Sequence, residues 1–297
     1  KRMLADPRAN AFIDNFAAQW VGLRAAAGAQ PDKQMFPEYD AALAQAFQTE
    51  TRLFLGNLMR ENRPVMDVVM AEHTYLNDRL AAHYRIAGVL GPGFRRVSVS
   101  GNGQRGGLLG QGSILTLTSH ATRTSPVLRG KWILENLLHS PPPPPANVPS
   151  LDESAAAGRK LTAREQVERH RANPACSSCH ARIDPLGFAL ENYDAIGRWR
   201  TQDGDGPIDA SAALPGRAPF AGPGGLKSLL AERSEEFVHA TVERLLTYAL
   251  GRELDARDQP AVRRAMRQTE AGGHRLQDLI LAVIESAPFR MREQQEQ

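Results

Sequence analysis

Apolar residues recur along this chain at the three-and-four spacing that lines one side of an α-helix. Phe12, Phe16, Trp20 and Leu23 form the first stripe. It follows Asp6-Pro7, an N-cap with proline at the first helical position. Gly28 and Pro31 end it. Leu43, Phe47, Phe54 and Leu58 predict a long helix from about Pro37 to Glu61. Pro64 opens a third helical region, whose period Leu76, Leu80 and Tyr84 continue. Ser125-Pro126 repeats the cap-and-proline start ahead of Val127, Leu134, Leu137 and Leu138. Thr162-Ala163-Arg164-Glu165 is a capping box for a helix that ends near Asn173-Pro174. Asp184-Pro185 reads as a further N-cap, leading Leu186 to Tyr193. Helices from Phe237 to Leu250, Gln259 to Glu270 and Leu276 to Ser286 close the chain, with Val238, Val242, Leu245 and Ala249 on the core face of the first. The pattern predicts a mainly α, multi-helix assembly.

Three stretches break the pattern. Residues 88–113 are rich in glycine and read as a connection, with one short strand from Phe94 to Val99. No GxxxxGK[ST] pattern follows that strand, so a phosphate loop is not expected. Pro141 to Pro145 is an unbroken proline run, a stiff polyproline II strut. With the polar, alanine-rich residues 146–160 it marks the best composition-based boundary; an SH3-like ligand motif is the lesser reading. Residues 201–223 read as a loop, where Asp203, Asp205 and Asp209 lack the spacing and terminal Glu of an EF-hand and fit a solvated turn.

The chain has 297 residues, enough for a sizeable core, and no run approaches the ~18 apolar residues of a transmembrane helix. A net charge of +3 without any Lys/Arg block, and only 6% aromatic residues, argue against a nucleic-acid surface. The chain starts at Lys1 with no apolar leader and no initiator Met, as a mature product or a fragment would.

Cysteine usage is the sharpest signal. The only two, Cys176 and Cys179, exclude a disulfide-rich scaffold, a four-cysteine zinc site and an iron–sulfur cluster held within the chain. Cys176-Ser177-Ser178-Cys179-His180 is CxxCH, the attachment signature of c-type haem. Two thiols on one helical turn reach the two vinyl groups of a porphyrin, and the adjacent His180 ligates the iron. A thioredoxin-like motif needs a βαβ context that these helical surroundings lack. A zinc site recruiting His170 lacks the usual spacing of its second ligand pair.

The sixth iron position separates carrier from enzyme. No methionine follows the motif closely; Ile183 stands there. A distal ligand must therefore come from farther along the fold, from among His73, His83, His120, His139, His170, His239 and His274 or Met3, Met35, Met59, Met66, Met70, Met266 and Met291. His120, in a polar stretch without amphipathic role, and His170, ten residues before His180, lead. An open site is the alternative. Arg123, Arg198 and Arg200 are candidates to pair with propionates.

At this motif the chain resembles the planctomycete-type cytochrome c-like proteins that carry the domains of unknown function numbered 1592, 1588 and 1585. Arg2 to Ala9, Phe16 to Trp20 and His73 to Leu80 are similar to the first. Arg123 to Gly130 with the proline run, Cys176 to His180, Asp184 to Phe188 and Gly197 to Arg200 are similar to the second, and Leu245 to Arg252 to the third. The resemblance implies a helical domain over residues 1–85, a haem-attachment domain over 100–200 and a C-terminal helical domain over 215–292. It places the proline run inside the second domain. It also implies export, a beginning inside the first domain, and a further cytochrome-like module before it. It names no substrate.

The leading expectation is an exported, periplasmic or extracellular protein with one covalent haem c, transferring electrons to a partner protein or a further cytochrome module. The runner-up is a haem peroxidase or oxidase with an open distal site. The third is a zinc-stapled, non-catalytic interaction module.

Overall fold

The computed structural model describes residues 2–101, 103–143, 161–171 and 174–291, the side chains of residues 174 and 175 excepted. The fold is mainly α, and its described sheets are three antiparallel pairs of short strands. Residues 144–160, with the end of the proline run and the alanine-rich stretch, lie outside the described residues, as does Asn173 at the expected helix end.

The first stripe folds as expected. The Asp6 carboxylate accepts from the Arg8 backbone N–H at 2.9 Å and starts a helical stretch at Pro7. It carries one π-helical segment, Ile13–Ala17. Phe12, Phe16 and Trp20 stack with ring centroids 5.2 and 5.7 Å apart, and Tyr248 meets the first two edge-on. The N-terminal segment thereby packs on the helix Ser234–Leu250. The long helix runs Ala41–Arg60. It starts later than Pro37 because the Asp40 side chain caps it, accepting from Leu43 N–H at 2.7 Å.

One expectation fails locally. Leu76 does not continue a helix; His73–Leu76 is a strand paired antiparallel with Arg95–Ser98, Thr74 opposite Val97. All four residues of His73–Leu76 are buried, and Asn77 then caps a new helix, Asp78–Tyr84, through Leu80 N–H at 2.9 Å. The spacing of four between Leu76 and Leu80 therefore straddles a cap. The helix Gly222–Glu232 escapes the sequence reading because its first turn, Gly222-Pro223-Gly224-Gly225, looks like a loop. Proline at an early helical position and burial of Leu226, Leu229 and Leu230 make it a helix. The expected 201–223 loop holds two two-residue strand pairs.

A buried polar network joins early and middle parts of the chain. Glu50, fully buried on Ala41–Arg60, accepts from Thr74 Oγ1 at 2.5 Å and from Tyr84 Oη at 2.7 Å. The Tyr84 hydroxyl in turn accepts from Gly112 N–H at 2.7 Å. The Arg105 guanidinium lies 3.8 Å over the Tyr84 ring and donates to the carbonyls of Gly110 and Gly197, each at 2.6 Å. Lys227 Nζ donates to the Arg105 carbonyl at 3.3 Å. Burial pushes Glu50 up to about 7, against the pull of its two hydroxyl donors and Arg105. A carboxyl group raised in the folded state contributes stability that is complete below its unfolded value and lost as pH rises through the folded one. The native protein should therefore lose stability relative to Glu50→Gln between about pH 4.5 and about pH 7. Urea unfolding of both proteins across that window checks it.

The helices Pro126–Asn136 and Pro174–Phe188 cross in backbone contact. Ser125 caps the first, accepting from Leu128 N–H at 3.2 Å. A Cβ on Gly130 would run into the Ile183 carbonyl, and one on Gly187 into the Pro126 carbonyl. The two backbones touch at both points, and no other residue type fits. Gly187→Ala should cost about 1–3 kcal/mol or more through overpacking. Gly224→Ala, with open space around it, should stay within about 1 kcal/mol of the native protein. Thermal unfolding of the two variants measures the difference.

Candidate functional site

The CxxCH motif occupies the first two turns of Pro174–Phe188. Positions i, i+3 and i+4 of a helix share a face, so Cys176, Cys179 and His180 line one side. Both thiols are partly exposed and unbridged, and Cys179 leans on the main core. Downstream, Ile183, Leu186 and Phe188 are buried and anchor the helix.

The helix runs through the Asp184-Pro185 pair instead of starting there, which corrects the expected cap. The Asp184 side chain is engaged elsewhere: its Oδ1 accepts from His180 Nδ1 at 2.9 Å, one turn back. Asp184 is fully buried. Among the described residues its Oδ2 has no hydrogen-bond partner, and Arg171 Nε lies 4.0 Å away. Burial pushes its carboxyl above the usual aspartate value, opposed by the His180 hydrogen bond and by the charges of His180, Arg171 and His170. With Nδ1 as the donor to that carboxylate, the Nε2 lone pair of His180 would be left for a metal.

A second helix completes the surroundings. Ala163–Arg171 starts with the expected capping box: Thr162 N–H donates to Glu165 Oε2 at 2.8 Å, and Glu165 N–H to Thr162 Oγ1 at 3.2 Å. Ala163 N–H also donates to Asp203 at 2.6 Å, and the Arg164 guanidinium lies 4.0 Å over the Phe188 ring. The last turn carries Arg169, His170 and Arg171. His170 comes to 5.1 Å from His180, ring centroid to centroid, at 60°.

The two leading distal candidates thus part company. His170 stands beside His180, whereas His120 sits exposed in the turn bridged by Ser119 and Thr124. Several others are engaged within the fold. His83 Nε2 bonds the Ile196 carbonyl at 2.8 Å, and burial lowers it to about 4. His139 and His239 both face Glu243, and His274 bonds Thr269 Oγ1 at 2.9 Å. Among the described residues, no three His, Cys, Asp or Glu side chains gather in an arrangement that would hold a metal ion.

Arg129 is the group that sequence reasoning missed. Its side chain is fully buried at the crossing with the motif helix. It donates to the carbonyls of Leu190, Tyr193 and Asp194 at 2.7 to 2.9 Å and to Glu191 Oε1 at 2.9 Å. Glu191 also accepts from Thr124 Oγ1 at 2.6 Å and from Arg200 at 3.1 Å. Arg200 further binds Asp203 at 2.6 Å, and Arg198 pairs with Asp194 and Glu38. Two of the three propionate candidates are thus committed to carboxylates, and Arg123 donates to the Thr124 carbonyl at 3.3 Å. Burial pulls Arg129 below the usual arginine value, with the Glu191 charge opposing it. Glu191→Gln should cost about 3–5 kcal/mol, the penalty of leaving one buried charge unpaired; chemical denaturation reads it directly.

Three family models match the chain in succession. Each describes a protein of unknown function: DUF1592 over residues 1–86, DUF1588 over 105–203 and DUF1585 over 216–289. The second contains the motif helix, Arg129 and its carboxylate partner Glu191. The chain matches none of the curated proteins and none of the solved structures with which it was compared. The chain therefore carries the domains of unknown function 1592, 1588 and 1585 in that order, the three domains of the family that its sequence resembles.

Proposed function

We propose that this chain is an exported, single-haem c-type cytochrome-like protein that transfers electrons. The observation that carries the reading is the geometry of one helix face. Cys176, Cys179 and His180 share it, and His180 has its Nδ1 committed to Asp184. Cys176 and Cys179 would hold the group through thioethers, and His180 would ligate its iron through Nε2. Bound there, haem supplies a one-electron couple. His170, whose ring lies 5.1 Å from that of His180, is the histidine that would supply a second iron ligand once the two rings part. Two nitrogen ligands suit a carrier, because a saturated iron reorganises little on reduction. Covalent attachment also suits a compartment where a free cofactor would be lost. No helix among the described residues is long and apolar enough to cross a membrane. The electron's source or destination is a partner protein or a further cytochrome module.

Protein made in an export-competent host with c-type maturation machinery should keep its haem stain on a denaturing gel. Cys176→Ala combined with Cys179→Ala should abolish that stain, and a retained stain would sink the attachment. The unmodified protein should be six-coordinate and low-spin, and bind carbon monoxide slowly when reduced. His170→Ala should convert it to high spin, and His120→Ala should leave the spectrum unchanged. An unmodified protein that is already high spin, binds carbon monoxide fast and turns over peroxide would replace the carrier with a peroxidase-type enzyme.

A further inference from the structure

The Asp184 carboxylate lacks an ordinary structural reason to be where it is. Aspartate is among the residues least often found fully buried unless paired. Asp184 is fully buried, and its one described hydrogen bond is the 2.9 Å contact to His180 Nδ1. The proline that follows invites a capping role, but the helix continues on both sides, so no helix start is there to cap. Its second oxygen has no hydrogen-bond partner among the described residues, and Arg171 Nε stands 4.0 Å from it. Burying a carboxylate this incompletely satisfied is unfavourable. The group that gains from it is the His180 imidazole.

We propose that Asp184 is a positioning residue for His180, holding its ring in the Nδ1–H tautomer and making Nε2 an electron-rich iron ligand that lowers the reduction potential of the site. The proposal rests on the haem reading above and adds a setting of its potential. A carboxylate accepting the far N–H of a ligand imidazole fixes ring orientation and raises ligand basicity. A more basic ligand stabilises the oxidised iron more than the reduced one. Second-sphere hydrogen bonding of this kind is one of the levers by which a protein sets haem potential. The spacing adds economy of geometry: residues 180 and 184 lie one turn apart on the same helix, so the pair is fixed by local structure.

The test compares the unmodified holoprotein with Asp184→Asn, which keeps the shape and removes the charge. Haem stain on a denaturing gel reads attachment, and redox titration reads potential. Asp184→Asn should retain covalent haem and shift the midpoint upward by at least a tenfold change in the reduced-to-oxidised ratio, about 59 mV for one electron. Covalent haem with an unchanged midpoint would overturn the proposal and leave the haem reading standing. If the unmodified protein carries no covalent haem, the haem reading fails. The ligand role proposed for Asp184 then fails with it. A second measurement covers an Asp184→Asn protein that does not fold: nitrogen-15 NMR of the haem-free unmodified chain. A protonated Nδ1 with a bare Nε2 on His180 supports the proposal, and the opposite tautomer overturns it.

Discussion

The contact on which the rest of the site depends is the crossing of two backbones at Gly130 and Gly187. Helices normally keep 8–10 Å between axes because side chains stand in the way. Here each helix offers a glycine to the other's carbonyl, Gly130 to Ile183 and Gly187 to Pro126. This brings Arg129, next to Gly130, within reach of the chain that leaves the motif helix. Its guanidinium then gathers three carbonyls and a carboxylate. Without the close approach, Arg129 would be a buried cation short of acceptors. Without Arg129, those buried carbonyls would lose their charged donor.

A second network extends this local order across the chain. Arg105 reaches the carbonyl of Gly197, in the loop gathered by Arg129, and its guanidinium covers Tyr84, which bonds Glu50. Lys227 reaches the Arg105 carbonyl from the C-terminal part. Glu50 and Tyr84, Arg105 and Gly197, and Lys227 fall in the first, second and third matched segments respectively. Side chains in one segment thus complete the hydrogen bonding of another, and the boundaries between the family models are not boundaries in the packing.

Much of the helical frame was legible because it is written in local signals. Asp6, Asp40, Ser125 and Thr162 cap where short polar side chains before apolar periods are expected to. Leu43, Phe47, Phe54 and Leu58 share a face because their spacing is helical. The motif was legible for the same reason, being a fixed local spacing. What escaped is what depends on distant partners. Thr74 and Tyr75 form a strand only because Arg95–Ser98 lies beside them. Asp184 before Pro185 looks like a start signal, and tertiary burial overrules it. The i, i+4 spacing of His180 and Asp184 was the available clue. Arg129 gave none, since a lone arginine on a helix does not disclose the carbonyls some sixty residues later that it will collect.

Pro185 has a mechanical consequence for the motif. In a regular helix the N–H of residue 185 would brace the carbonyl of Ala181, immediately after His180, and proline has no N–H to give. The backbone ladder therefore has a missing rung between the cysteine pair and the glycine crossing that anchors the helix. The His180–Asp184 bond spans nearly the same turn, one residue earlier. A side-chain strut thus stands beside the absent backbone one. It carries the stiffness of the anchored end of the helix forward to the imidazole.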